Sequence, residues 1–382
     1  MRKQLLVVVA VALASLGLFW LPFFFHAQTF WGVTFGGHGM ETVVANFDGL
    51  NYVAVAKTLY DPQLLRQNFA SFGNPPIYYA AHFPLYALLI RVFDLVLTGP
   101  QALLSSIVIS NILLAIGLTV FFSTFIKDKK VALILSILAL FLPGRMLSVR
   151  GVGSSEPLFM FFVLTSLSMA YRGKHLQGAL LGSLAVLTRS PGIFLFGAYF
   201  LSALASYTTD WRKIVSKLWP YLLMPVSLTL LFSYYGHALG SFWAYFNSSS
   251  ELHPVFFPPF LIFSNAQRWI SDMWREDILY MYLLYGTGIA LYIKRIGTKC
   301  GFEQLSAAAY GVVYGLILLL ISHRDLARYA LPIAPIALLG LAPVLGNKFT
   351  KWLLLFLVPI YLLGWQFVVG NVQGVADWGN LL

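Results

Sequence analysis

Cysteine is almost missing from this chain. Cys300 is the only one in 382 residues, which excludes an intramolecular disulfide and a cysteine-based metal cluster. Charge is scarce as well: 10% of residues are charged, against roughly 25% in ordinary soluble domains. With 59% hydrophobic residues and a mean hydropathy of +0.78, a water-soluble core could not hide the apolar surface. Other signatures are lacking too. There is no DxD, no HExxH and no His pair at i, i+4, and no P-loop, GxGxxG or GxSxG. These absences argue against a built-in metal centre and against an ATP or nucleotide-sugar enzyme. No internal repeat and no low-complexity linker divides residues 1–382, which read as one domain.

What is present is a series of apolar runs of about 20 residues, the pattern of an all-α, polytopic membrane protein. The N-terminal run begins MRKQLL like a signal peptide but is too long and lacks a small-residue cleavage site, so it reads as an uncleaved first span. Spans are expected near 4–25, 101–126, 131–147, 156–171, 176–188, 191–207, 218–236, 278–294, 304–321, 329–346 and 351–369, eleven in all. Residues 83–98, FPLYALLIRVFDLVLT, decide the register. If they span, the Lys-rich loops face outward, against the positive-inside rule. If they lie at the interface or re-enter, MRK, KDKK, YRGK, WRKIVSK, KRIGTK and NKFTK all become cytoplasmic, and this is the arrangement adopted here. The N-terminus is then cytoplasmic.

That topology sorts the charges. The cytoplasmic side takes 15 basic residues, 11 of them Lys; the outer side takes the other 10, all Arg except Lys57. Eleven of the 14 acids and six of the seven histidines also fall outside. The net charge of +11 is therefore a matter of topology and anion binding, not of nucleic acid. Arginine in preference to lysine suits planar, two-armed binding of phosphate or carboxylate. Two long outer loops, 26–100 and 237–277, frame this face. The stretch 48–60 is apolar at helical spacing and predicts an amphipathic helix lying on the membrane.

Five outer segments carry the candidate chemistry. In NFDGLNYVAVAK, Asp48 is an N-cap for a helix starting at Gly49, a carboxylate with a task, or both, with Tyr52 one turn on. His82, in YYAAHFPLY, is a donor to a phosphate or a plain interfacial histidine. Glu156, in GSSEPLF, opens a helix, where an acid also suits the dipole. Arg189, in LTRSPGIF, sits inside an apolar stretch broken by Pro191-Gly192, an expensive place for a guanidinium without a function. His323, Arg324, Asp325 and Arg328 share the elbow SHRDLARYALPIAP. Arg324 and Arg328 are spaced for one helix face, and Asp325 is placed to pair with either.

Taken in order, FDGLNYVAVAK, HFPLYALLIR, GSSEPLF, LTRSPGIFL and LARYALPIAP resemble the GPI mannosyltransferase II (PIG-V) family and, more broadly, the GT-C superfamily of membrane glycosyltransferases. The blocks cover residues 47–335. Phe47 stands where that family has Trp, His82 where it has an aromatic, and Ala87 in place of a second Pro, departures that suggest a distant prokaryotic relative. The resemblance implies inverting transfer of a sugar, typically mannose, from a polyprenyl-phosphate donor to a glycan or glycolipid acceptor on the non-cytoplasmic face. On that reading Asp48 is the general base. Arg189 and Arg328 bind the donor phosphate, with Arg324 and His82 assisting, and Glu156, Tyr52 and His323 support the site or face the acceptor. No cofactor is implied, and a divalent metal is left open. The rival reading is a transporter or flippase of lipid-linked sugars, which should carry polar residues through the midplane and often internal repeats. A structural membrane protein would leave the outer Arg and acid clustering unexplained. NSS at 247–249 is a glycosylation sequon on the outer side.

The topology is testable by labelling. In a Cys300→Ser background, Gln63→Cys should react with a membrane-impermeant maleimide in intact cells, and Lys129→Cys only after the membrane is opened. The reverse pattern would invert the assignment.

Overall fold

Apolar residues on every side of a helix leave nothing to face water, and most helices of this protein are of that kind. In the computed structural model, which describes residues 2–208, 210–248, 257–264, 271–297, 300–346, 348–375 and 377–382, helix follows helix. The strands among the described residues form a two-stranded hairpin, Thr29–Phe30 against Val33–Thr34, with Thr29 opposite Thr34 and Phe30 opposite Val33. Parts of the 237–277 loop, Ser249 of the sequon, Lys299 of KRIGTK and Asn347 of NKFTK lie outside the described residues.

Six helical stretches are long and apolar enough to cross a bilayer: Arg2–Phe24, Gly99–Phe125, Ser190–Tyr207, Trp211–Ala238, Leu326–Leu345 and Trp352–Gly370. Glu156–Tyr171, His175–Thr188 and Phe302–Leu318 are shorter apolar helices. The 25-residue helix Asp272–Ile296 covers the span expected at 278–294. The expected span at 131–147 is different. Its helix stops at Leu138, Pro143 and Gly144 break the path, and a second helix runs Arg145–Arg150. A helix of 10 residues rises about 15 Å, half the thickness of a bilayer core.

Residues 83–98 form the helix Pro84–Asp94, 11 residues long, also too short to span at ~1.5 Å per residue. Tyr86, Ala87 and Ile90 face the protein, while Leu88, Val92, Leu95 and Val96 are exposed. Its two charges have partners: Arg91 donates to the Ala56 carbonyl (2.6 Å) and Asp94 pairs with Lys57 (3.2 Å). This is the amphipathic helix of the first loop. The helix Gly49–Thr58, expected to lie on the membrane, is instead buried along nearly its whole length. The reason is its composition. Val, Ala and Leu occupy both faces, so it packs between Pro84–Asp94 and Gly99–Phe125.

Where helices cross, small residues let backbones approach. Gly340 lies against the Gly288 carbonyl, so close that a β-carbon there would collide with it. Arg150, counted from sequence with the outer arginines, is fully buried and ties three segments together. It donates to the Leu140 carbonyl (2.9 Å), Asn111 Oδ1 (2.9 Å), Ser15 Oγ (2.6 Å) and the Ala12 carbonyl (3.3 Å). Glu303 pairs with Lys217 (2.7 Å) and lies 3.6 Å from His175, so three segments read from sequence as lying on the lysine-rich side come together there.

Candidate active site

The site begins with two glycines. Gly49, beside Asp48, faces Gly153, and a β-carbon on either residue would press on the other's α-carbon. This contact sets the FDG turn against the RGVGSSE turn and so brings Asp48 near Glu156. The chain before Asp48 is held as firmly. Phe47 has φ +47, a left-handed conformation that a bulky residue adopts only when its surroundings impose it. Those surroundings are the C-terminal tail. Gln373 donates its side-chain amide to the Phe47 carbonyl (2.5 Å) and its backbone N–H to the Ala45 carbonyl (2.7 Å). Asn46 donates to the Val368 carbonyl (2.8 Å) and accepts from Asn371 (3.2 Å).

Asp48 precedes the helix Gly49–Thr58, but its side chain caps nothing. It accepts from Arg328 NH2 at 2.6 Å on Oδ2, and its Oδ1 lies 3.9 Å from His82 Nε2. The structure thus separates the two sequence readings of this residue: its carboxylate belongs to an ion network, not to a cap. Arg328 is the bridge. Its Nε donates to Glu156 Oε1, and NH1 lies 3.9 Å from Asp325. Arg189 NH1 pairs with the same Glu156 oxygen at 2.9 Å and donates to Ser155 Oγ at 3.0 Å. Tyr52 completes the ring with a 2.8 Å hydrogen bond between its hydroxyl and Ser155 Oγ, and it stands edge-on to His82. Tyr60 fixes the His82 backbone by donating to its carbonyl at 2.6 Å.

The two carboxylates differ in access. The Glu156 side chain is 2% exposed and that of Asp48 29%. Burial pushes the Asp48 carboxyl up, but Arg328 and then His82 more than offset this and hold it well below the usual carboxylate range. Burial pushes the Tyr52 phenol up to about 12, so it remains a proton donor.

Asp48, Tyr52, His82, Glu156, Arg189 and Arg328 therefore come together from segments far apart in sequence. The other two predicted residues lie on the elbow preceding Leu326–Tyr329. His323 Nδ1 accepts from the Asp325 backbone N–H (3.1 Å) and its ring stacks on Tyr329, and Arg324 is exposed. Ser155 links Tyr52 to Arg189 and was quoted from sequence without a role. Arg145 was hidden inside an expected span. Its guanidinium lies 3.6 Å over the Phe367 ring; Phe367 stacks on Phe47, and Arg328 covers Phe47 at 4.5 Å. The Pro143-Gly144 break just before Arg145 was the available signal. Among the described residues no group of three or more His, Cys, Asp or Glu gathers as a metal site.

Two cavities have volumes of about 370 Å³ each. One is apolar and lined by Tyr60, Pro84, Leu88, Leu187, Leu230 and Tyr234. It shares Tyr60 with the site, since the Tyr60 hydroxyl holds the His82 carbonyl. The other is mainly apolar, lined by Phe35, Val369, Val372 and Trp378, with His38, Glu41 and Gln373 also in its wall.

No family model matches the sequence, and comparison with curated proteins finds no significant match. Solved structures do match. The chain is similar to the oligosaccharyltransferase AglB of Archaeoglobus fulgidus in complex with an inhibitory peptide and a dolichol-phosphate (TM-score 0.56, 13% identity), covering 98% of this chain and 57% of that one. A second structure of the Archaeoglobus fulgidus oligosaccharyltransferase, with Zn and sulfate, gives TM-score 0.56 at 15% identity over 97% of this chain and 54% of that one. ArnT from Cupriavidus metallidurans bound to undecaprenyl phosphate gives TM-score 0.59 at 15% identity, covering 94% of this chain and 64% of that one. The likeness shows the fold: this chain shares the all-α, polytopic architecture of these proteins. The chain spans little more than half the length of these neighbours.

The network itself makes a prediction. Glu156→Gln removes the carboxylate that Arg189 and Arg328 share and leaves two buried guanidiniums undercompensated. Breaking a buried pair in this way costs about 3–5 kcal/mol, so the melting temperature of the detergent-solubilised protein should fall by several degrees or more.

Proposed function

We propose that this protein is an inverting glycosyltransferase of the GT-C type. It moves a sugar from a polyprenyl-phosphate donor to an acceptor hydroxyl on the non-cytoplasmic face of a prokaryotic plasma membrane. The observation that carries the reading is Asp48: a partly accessible carboxylate, fixed by Arg328 at 2.6 Å and with His82 Nε2 3.9 Å away, in a helical bundle that has an apolar cavity behind Tyr60. The apolar cavity suits the first isoprene units of a long hydrocarbon tail, whose remainder would lie in the bilayer. Two of the structural neighbours were solved with polyprenyl phosphates. Mannose as the sugar, and a glycan or glycolipid as the acceptor, rest on the resemblance to the PIG-V family.

The chemistry asks for a single carboxylate. The acceptor oxygen attacks the anomeric carbon from the face opposite the phosphate. The bond from that carbon to the phosphate oxygen breaks, and the phosphate leaves with the electron pair. A phosphate needs no proton to depart, so no catalytic acid is required, and inversion follows from one displacement. Asp48 takes the hydroxyl proton. Its depressed pKa makes it a weak base, which is sufficient here: a hydroxyl bonding to an oxocarbenium-like carbon becomes strongly acidic, so proton transfer is late. Glu156, sealed between two arginines, is the anchor that positions Arg328 and, through it, Asp48.

Purified protein in membranes with a radiolabelled polyprenyl-phosphate mannose, and native membrane extract as acceptor, tests this directly. Asp48→Asn should cut transfer about 10²–10⁴-fold in protein shown by its melting transition to be folded. Full activity in a folded Asp48→Asn variant would remove Asp48 from the role of base. The pH profile supplies an independent check. With its pKa held low, Asp48 stays ionised and gives wild type no acid-side loss between about pH 5 and 8. Arg328→Gln removes the cation that depresses it, so the Asp48 pKa rises and activity should decline on the acid side at higher pH than in wild type.

A further inference from the structure

Arg189 and Arg328 are the arginines that sequence pattern points to for phosphate, but both are already engaged. Glu156 pairs with both, Asp48 with Arg328, and Asp325 stands 3.9 Å from Arg328. Arg145 is in a different position. It is half-buried, and among the described residues no carboxylate comes within the 4.0 Å ion-pair distance of it or of Arg324. Its support is aromatic. Phe367 lies under one face of the guanidinium, in a column that runs Arg145, Phe367, Phe47, Arg328. Such a seat fixes the plane of the group and leaves the N–H edges free to bind a ligand.

The electrostatics agree with that geometry. Burial lowers the Arg145 pKa. Asp325 raises it, and the fields of Arg328 and Arg324 lower it again. A half-buried cation beside two others is costly unless an anion completes the site. Arg145 is separated by one aromatic pair, Phe367 and Phe47, from Arg328 and from the turn that carries Asp48.

We propose that Arg145, backed by Phe367 and assisted by the exposed Arg324, is the phosphate-binding arginine of this protein, leaving Arg189 and Arg328 to hold the two carboxylates. The assignment deepens the glycosyltransferase reading, on which the identity of the phosphate as a polyprenyl ester rests. Binding of a phosphate there neutralises the excess charge and draws the reacting carbon toward Asp48.

The test is equilibrium binding to the full chain in nanodiscs, with undecaprenyl phosphate, undecaprenol and inorganic phosphate as probes. Wild type should bind undecaprenyl phosphate in preference to undecaprenol. Arg145→Gln should weaken that binding about tenfold or more, the effect of losing a charge-assisted contact. Arg145→Lys should restore part of it. Arg324→Gln, at an exposed position where folding is not at stake, should weaken it about threefold. Undiminished binding of undecaprenyl phosphate by a folded Arg145→Gln variant would overturn the assignment and leave the donor reading standing. Inorganic phosphate bound through Arg145 with no preference for undecaprenyl phosphate over undecaprenol would support the phosphate site and remove the polyprenyl donor. Binding of neither phosphate by wild type would overturn the assignment.

Discussion

The structure turns on one guanidinium. Arg328 reaches Asp48 across 280 positions of sequence and Glu156 across 172, and those two carboxylates belong to turns that touch through Gly49 and Gly153. Charges so deeply buried are tolerated only in pairs. The turn before Gly49–Thr58, the start of Glu156–Tyr171 and the elbow that carries Arg328 are thereby held to one geometry. Arg189 joins from a fourth segment through the same Glu156 oxygen.

That network divides labour between two acids that the sequence presents alike. Both follow short turns and open helices. Glu156 is closed in by two arginines and a serine turn, while Asp48 keeps part of its carboxylate open. Access rather than residue type separates the candidate reacting group from its anchor. The low pKa of Asp48 follows from the same arrangement, since the cation that fixes the carboxylate also stabilises its charge.

Much of this was legible in the sequence. Composition and 20-residue periodicity are enough for the helical membrane class. The Lys and Arg bias is enough to gather Asp48, Glu156, Arg189 and Arg328 on one side. The non-spanning character of 83–98 was also readable, because the positive-inside rule penalised the alternative. Other features were not. The burial of Gly49–Thr58 depends on partners from distant segments that cover both of its faces. Arg145 was masked because a hydropathy window averages over the Pro143-Gly144 break and counts a single arginine as tolerable. Arg150 resembled its neighbours in sequence and turned out to be a buried staple, a distinction that only the positions of Ser15, Asn111 and two carbonyls reveal.

The left-handed backbone at Phe47 ties the site to a remote part of the chain. Its conformation is held by Gln373 and flanked by Asn46, which is bonded to Val368 and Asn371. The main chain that carries Asp48 thus answers to residues more than 320 positions downstream. A change at Gln373 reaches Asp48 through the direction of its backbone, while every charge in the ion network stays in place.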